Sequence, residues 1–185
     1  MNDYVIVIVP DSEMDDGEIK ALELKKALNE HLPDSDIYIS KIGDTLYESE
    51  DFAIELSEEK NPDLIISIGM ANLLIGLLPQ YNRVMLNPSY NNSLSVEESC
   101  NGKLSNRKDN PSESQLYELD SPGHFQRGKR SMIALFDGSM DDKESMDVCL
   151  ARHITYKVSE HFDIYNVQDL PYIRDEIINF LKTLS

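Results

Sequence analysis

The chain has 185 residues, 41% of them hydrophobic, enough for a single globular domain over 1–185 with a substantial core. A net charge of −17 repels phosphate backbones and sets nucleic-acid binding aside. No apolar run reaches the roughly 18 residues of a membrane-spanning helix, so no membrane partner is expected.

The first residues, MNDYVIVIVPDSE, lack a basic leader, and their apolar segment reads as a strand. Cys100 and Cys149 lie far apart without C-x-x-C spacing and read as free thiols. A cytoplasmic location is the resulting expectation.

Tyr4 to Val9 (YVIVIV) predicts a buried strand. Asp15 or Asp16 can cap a helix from Gly17 to His31, with Ile19, Leu22, Leu24, Ala27 and Leu28 as its apolar positions. Asp36 to Ser40 is a second strand, and Phe52, Ala53 and Leu56 mark a second helix. The central stretch is Asn61 to Pro79, NPDLIISIGMANLLIGLLP. Asp63 to Ile68 has the length and β-branching of a strand buried on both faces. Gly69 breaks it, and Met70, Leu73, Leu74, Leu77 and Leu78 then repeat at helical spacing until Pro79.

Arg83 to Asn87 is the next strand. From Pro88 to about Ser114 apolar residues become sparse, a stretch too long for an ordinary connection, so a lid or disordered insertion is expected over 89–126. Ser131 to Phe136 and His153 to Val158 are strands, with a helix from Lys143 to Ala151 between them. Leu170-Pro171 opens a last helix with a stripe of Ile173, Ile177, Ile178 and Leu181. Alternating strands and helices imply a mostly parallel sheet covered on both faces.

Strand, sharp turn and helix at 63–79 resemble the nucleophile elbow of α/β-hydrolases, whose G-x-S-x-G motif falls here on Ser67-Ile68-Gly69-Met70-Ala71. Pro62-Asp63-Leu64-Ile65-Ile66 and Asn87-Pro88-Ser89 resemble the elbow strand and the following strand end of the small YqiA-type esterases. The resemblance implies an α/β-hydrolase-like three-layer sandwich with a lid, and it places Gly69 where the nucleophilic serine would stand. Glycine takes a strained turn without the cost of about 1–3 kcal/mol that a side chain incurs there.

By the same resemblance, the acid falls on Asp141 in LFDGSMDD, with Asp142 second, and the histidine falls on His161 in Ser159-Glu160-His161. The residue types also permit a plain reading: either aspartate can cap the helix that follows, and a lone loop histidine is commonly just exposed. The oxyanion loop would be Pro10-Asp11, where proline offers no N–H and a carboxylate opposes negative charge; Met70 could still donate its N–H.

The expectation is a catalytically degenerate relative of small esterases acting as a binding or regulatory module, with a small-molecule ligand or protein partner left unnamed. One alternative is an active carboxylesterase or thioesterase with a displaced serine, for which Ser12 and Ser139 are the loop candidates. Another is an acidic inhibitor or immunity-type module. No cofactor motif is present: there is no G-x-G-x-x-G and no Walker loop. Asp141-Asp142 with Asp11, Asp15 and Asp16 could converge at the carboxyl ends of the strands as an oxygen-rich pocket for Mg²⁺ or Ca²⁺, but acidic loops are common in a chain this acidic and no metal is assigned.

Overall fold

The structure is a computed structural model that describes residues 3–11, 15–40, 59–69, 71, 81–88, 131–139, 143–151 and 153–184. Its centre is a six-stranded sheet in the order β2-β1-β3-β4-β5-β6. The strands are β1 (Val5–Val9), β2 (Asp36–Ile39), β3 (Leu64–Ile68), β4 (Asn82–Leu86), β5 (Met132–Asp137) and β6 (Thr155–Ser159). All five pairings are parallel. The described helices are α1 (Gly17–Asn29), α2 (Lys143–Ala151) and α3 (Leu170–Leu184).

Strand alternation divides the core. Ile6 and Ile8 of β1, Leu64, Ile66 and Ile68 of β3, and Val84 and Leu86 of β4 face one layer. There they meet Ala21, Leu24 and Leu28 of α1 and Ile173, Ile177 and Leu181 of α3. On the opposite face Met85, Ala134 and Phe136 pack with Cys149 of α2 and with Ile154. Cys149 is a buried free thiol, as expected; Cys100 lies outside the described residues. β1, β3 and β4 are buried on both faces; β1 is wholly apolar, whereas β3 also buries Ser67 and β4 buries Arg83.

The amino edge of the sheet is tied by two polar side chains. Val5 N–H donates to Asp63 Oδ2 at 2.9 Å, and Asn82 Nδ2 donates to the Asp63 carbonyl at 2.9 Å. Asn82 Oδ1 accepts from Ser131 N–H at 3.1 Å, so four strand starts are linked.

Several boundaries and faces differ from the sequence reading. Helix α1 buries Gly17, Ala21, Leu24 and Leu28, whereas Ile19 and Leu22 are exposed. Helical spacing admitted both stripes, and the sheet lies against only one. Asp16 precedes α1 but makes no side-chain cap; its carbonyl accepts Lys20 N–H at 3.0 Å. His153 is not the start of a strand: it has φ 57° in a turn, and β6 begins two residues later. In α3, Leu170 and Phe180 join the buried stripe and Ile178 is only partly buried. The segment expected to be the second helix and the lid at 89–126 lie outside the described residues, as does the expected elbow helix except for Ala71, which is helical and buried. Among the described residues, no helix is long and apolar enough to cross a membrane.

Candidate functional site

Strand order reverses direction between β1 and β3, and in an open parallel sheet ligands bind outside the carboxyl ends of the strands at such a switch point. The two residues that stand there are Asp11, after β1, and Gly69, after β3. Gly69 has φ +54°, a left-handed conformation that L side chains rarely adopt, and its N–H donates to the Leu86 carbonyl at 2.9 Å.

Asp11 is 8% exposed and lies in a slot between two glycines. A Cβ built on Gly17 would fall on the Asp11 carbonyl oxygen. A Cβ built on Gly69 would fall on Asp11 Oδ2, with Asp11 Cγ at 2.8 Å. The carboxylate of Asp11 therefore fills the volume that a side chain at position 69 would need. The sequence marks each of these residues as a separate departure from hydrolase chemistry; their contact becomes visible only in three dimensions.

The loop after β6 returns to the same place. Phe162, Ile164 and Leu170 join the core beneath it, with Tyr165 packed alongside. Burial pushes the Tyr165 hydroxyl well above its ordinary range, and the charges of Asp11, Asp16 and Asp163 push it the same way. Tyr165 thus lies beside the β1–α1 connection as an un-ionised phenol, its oxygen buried and without a partner among the described residues.

His161 sits in this loop with its side chain 56% exposed. Its N–H donates to Ser159 Oγ at 3.2 Å. Its ring stacks on Tyr172 at 4.5 Å between centroids and 15° between planes. Nδ1 lies 3.6 Å from Oδ1 of Asp169, the residue immediately before α3.

A third cluster closes the carboxyl edge at β4 and β5. Asn87 has φ 45°, its N–H donates to the Leu135 carbonyl at 2.8 Å, and its Oδ1 accepts from Asp137 N–H at 2.6 Å. Asp137 is buried, and both its carboxylate oxygens are engaged by Ser139, Oδ1 by the N–H at 2.9 Å and Oδ2 by the hydroxyl at 2.6 Å. Gly138 N–H donates to the Ser159 carbonyl at 2.9 Å, which joins this turn to the end of β6.

Asn87 does two jobs, tolerating the left-handed backbone and receiving the Asp137 N–H. Asn87→Ala should lose both and destabilise the fold by about 2 kcal/mol. Asn87→Gly keeps the backbone and should lose about half of that. Urea unfolding of the two variants measures the difference, and equal losses would show that the side-chain bond carries everything.

Of the positions expected from the sequence, Gly69, Asp11 and His161 stand at the carboxyl edge, while Met70, Asp141, Asp142 and Ser12 lie outside the described residues. Ser67 is fully buried within β3, as strand alternation requires, and Ser139 is held by Asp137. Sequence reasoning missed Asp137, Tyr165, Asp169 and Tyr172. Asp137 and Asp169 carry signals that read equally well as turn and cap residues. Among the described residues no group of three or more His, Cys, Asp or Glu side chains could hold a metal ion.

No family model and no curated protein matches the sequence. Among solved structures, the esterase domain of a Rhodothermus marinus protein is similar, with a TM-score of 0.69 over 99% of this chain and 88% of that one, at 10% sequence identity. The fold is an α/β-hydrolase-like sandwich. At that identity the likeness carries the architecture, and the residues above must carry any chemistry.

Proposed function

We propose that this protein is a catalytically degenerate relative of small α/β-hydrolase esterases that uses the carboxyl edge of its sheet as a binding or regulatory site. The observation that carries this reading is the contact of Asp11 with Gly69. The place where a nucleophile's side chain would rise from the elbow is occupied by a carboxylate from another strand end. A carboxylate there also opposes the negative charge of a tetrahedral intermediate, the charge an oxyanion hole exists to stabilise. Pro10 removes an N–H from the same loop. Loss of the nucleophile by itself costs several orders of magnitude in rate.

On this reading His161 remains at the site as a recognition group without a serine to deprotonate. The wild-type protein should turn over short-chain p-nitrophenyl esters no faster than buffer and should take up no fluorophosphonate probe. Ester hydrolysis that disappears in His161→Ala would overturn the reading.

One observation favours a second reading, an active esterase with a displaced serine. Ser139 is exposed, and its hydroxyl donates to the buried Asp137 carboxylate at 2.6 Å. Among the described residues no imidazole contacts Ser139, which leaves the hydroxyl without the usual activating base. Fluorophosphonate labelling confined to Ser139 would favour this second reading.

A further inference from the structure

We propose that Asp169, at the start of α3, is the acid that positions His161, in place of an acid from the loop after β5. The ordinary role for an aspartate before a helix is to cap it, its carboxylate accepting an N–H from the second or third helical residue. Here the second residue is Pro171, which has no N–H. The N–H groups of Tyr172 and Ile173 instead go to the Asp169 main-chain carbonyl, at 3.0 and 3.1 Å. The carboxylate is therefore left out of the cap.

It is nevertheless buried, with Asp169 only 4% exposed. Among the described residues its Oδ2 has no hydrogen-bond partner. Burying a carboxylate on these terms is costly unless an opposite or polar group compensates. The positive end of α3 supplies part of that compensation. The side-chain partner within reach is His161, with Nδ1 3.6 Å from Oδ1.

The imidazole is correspondingly fixed. Tyr172, in the first turn of the same helix, stacks on its ring, and the main-chain N–H of His161 donates to Ser159 Oγ. Asp137, the buried acid at the end of β5, has both oxygens engaged by Ser139, and its contacts among the described residues do not include His161. An imidazole whose Nδ1–H faces a carboxylate carries its lone pair on Nε2. Among the described residues Nε2 has no partner, and the side chain is more than half exposed. The dyad thus presents a hydrogen-bond acceptor at the carboxyl edge, suited to a ligand bearing a hydroxyl or N–H donor. Asp169 is a positioning residue that acts through His161. The ligand class rests on reading this edge as a retained binding site; the pairing itself does not.

The test is the tautomer of His161, read from two-bond 1H–15N correlations of the uniformly 15N-labelled protein at a pH where the ring is neutral. Wild type is expected to be predominantly the Nδ1–H form, and Asp169→Asn should return the ring to the Nε2–H form that free imidazoles favour. His153, which is exposed, serves as an internal reference. A wild-type ring in the Nε2–H form overturns the proposal. So does an Nδ1–H form unmoved by Asp169→Asn, or one lost instead in Asp141→Asn. Should Asp169→Asn fail to fold, the wild-type spectrum still decides the tautomer. Asp169→Glu, which keeps the charge but moves it by one methylene, then supplies the comparison: an unchanged His161 signal overturns the pairing. Ester turnover by the wild type would overturn the degenerate reading and leave the tautomer result standing.

Discussion

Gly69→Ser is expected to yield no esterase and a weaker fold. The new side chain meets two separate penalties. The left-handed backbone at φ +54° costs an L residue about 1–2 kcal/mol. The overlap with Asp11 adds about 1–3 kcal/mol, because Asp11 is short and buried and cannot swing its carboxylate clear without exposing or displacing neighbours. The two penalties separate in a double-mutant cycle. With Asp11→Ala in place, the atom nearest the new side chain becomes the Cβ of residue 11, at 3.4 Å, an ordinary contact. Gly69→Ser should then cost only its backbone share, giving a coupling of about 1–3 kcal/mol between positions 11 and 69. Additive losses would mean that the Asp11 carboxylate does not fill the elbow, and the main support for a degenerate site would go with it. Hydrolysis in the double variant and not in Gly69→Ser alone would show that Asp11 is what keeps the site silent.

Ile177→Ala is expected to be the most destabilising of the simple truncations. Ile177 is fully buried on α3, in the layer shared by α1 and the strands β1, β3 and β4. Losing its three methyl or methylene carbons leaves a cavity that a parallel sheet covered on that face cannot easily close, at about 2–5 kcal/mol. Leu150→Ala on α2, with its side chain exposed, should change stability by less than about 0.5 kcal/mol. Urea midpoints at constant m-value measure both. A small loss at Ile177 would place the stabilising core on the other face of the sheet, around Phe136 and Cys149.

The fold was legible in the chain because its signal is repeated. β1 and β3 are short β-branched runs and β4 and β5 short, largely apolar ones, each bounded by polar or turn residues, and a sheet covered on both faces accommodates several such runs. Where the reading failed, a single local signal had two solutions. Ile19 and Leu22 keep helical spacing with Leu24 and Leu28, yet a helix lying on a sheet buries only one stripe. His153 continues the pattern of β6 in sequence but turns the chain with a positive φ. For the candidate site, the sequence offered separate residues and not their contacts. Gly69 and Pro10-Asp11 stand out as departures from the hydrolase pattern, whereas the contact between Asp11 and Gly69 joins residues far apart in the chain and leaves no trace in either segment. Asp169 was hidden because Asp-Leu-Pro is what a helix start looks like. The clue lay in Pro171, which withholds the N–H that a capping carboxylate would seek.

The parallel register of the sheet also governs how it can assemble. With every pairing parallel, no two neighbouring strands among the described residues form a hairpin, and each contact between strands waits for a crossover to close. β1 ends at Val9 and its partner β3 begins at Leu64, and β4 ends at Leu86 and its partner β5 begins at Met132, so these two pairings close the longest spans of chain in the sheet. The entropy of closure rises only by about 0.6 kcal/mol for each doubling of loop length, so the long spans burden the finished fold little. Their weight falls on the rate. The pairs β1–β2, β3–β4 and β5–β6 can form from nearer pieces of chain, and the three pairs must then find one another across the longer spans that separate β1 from β3 and β4 from β5.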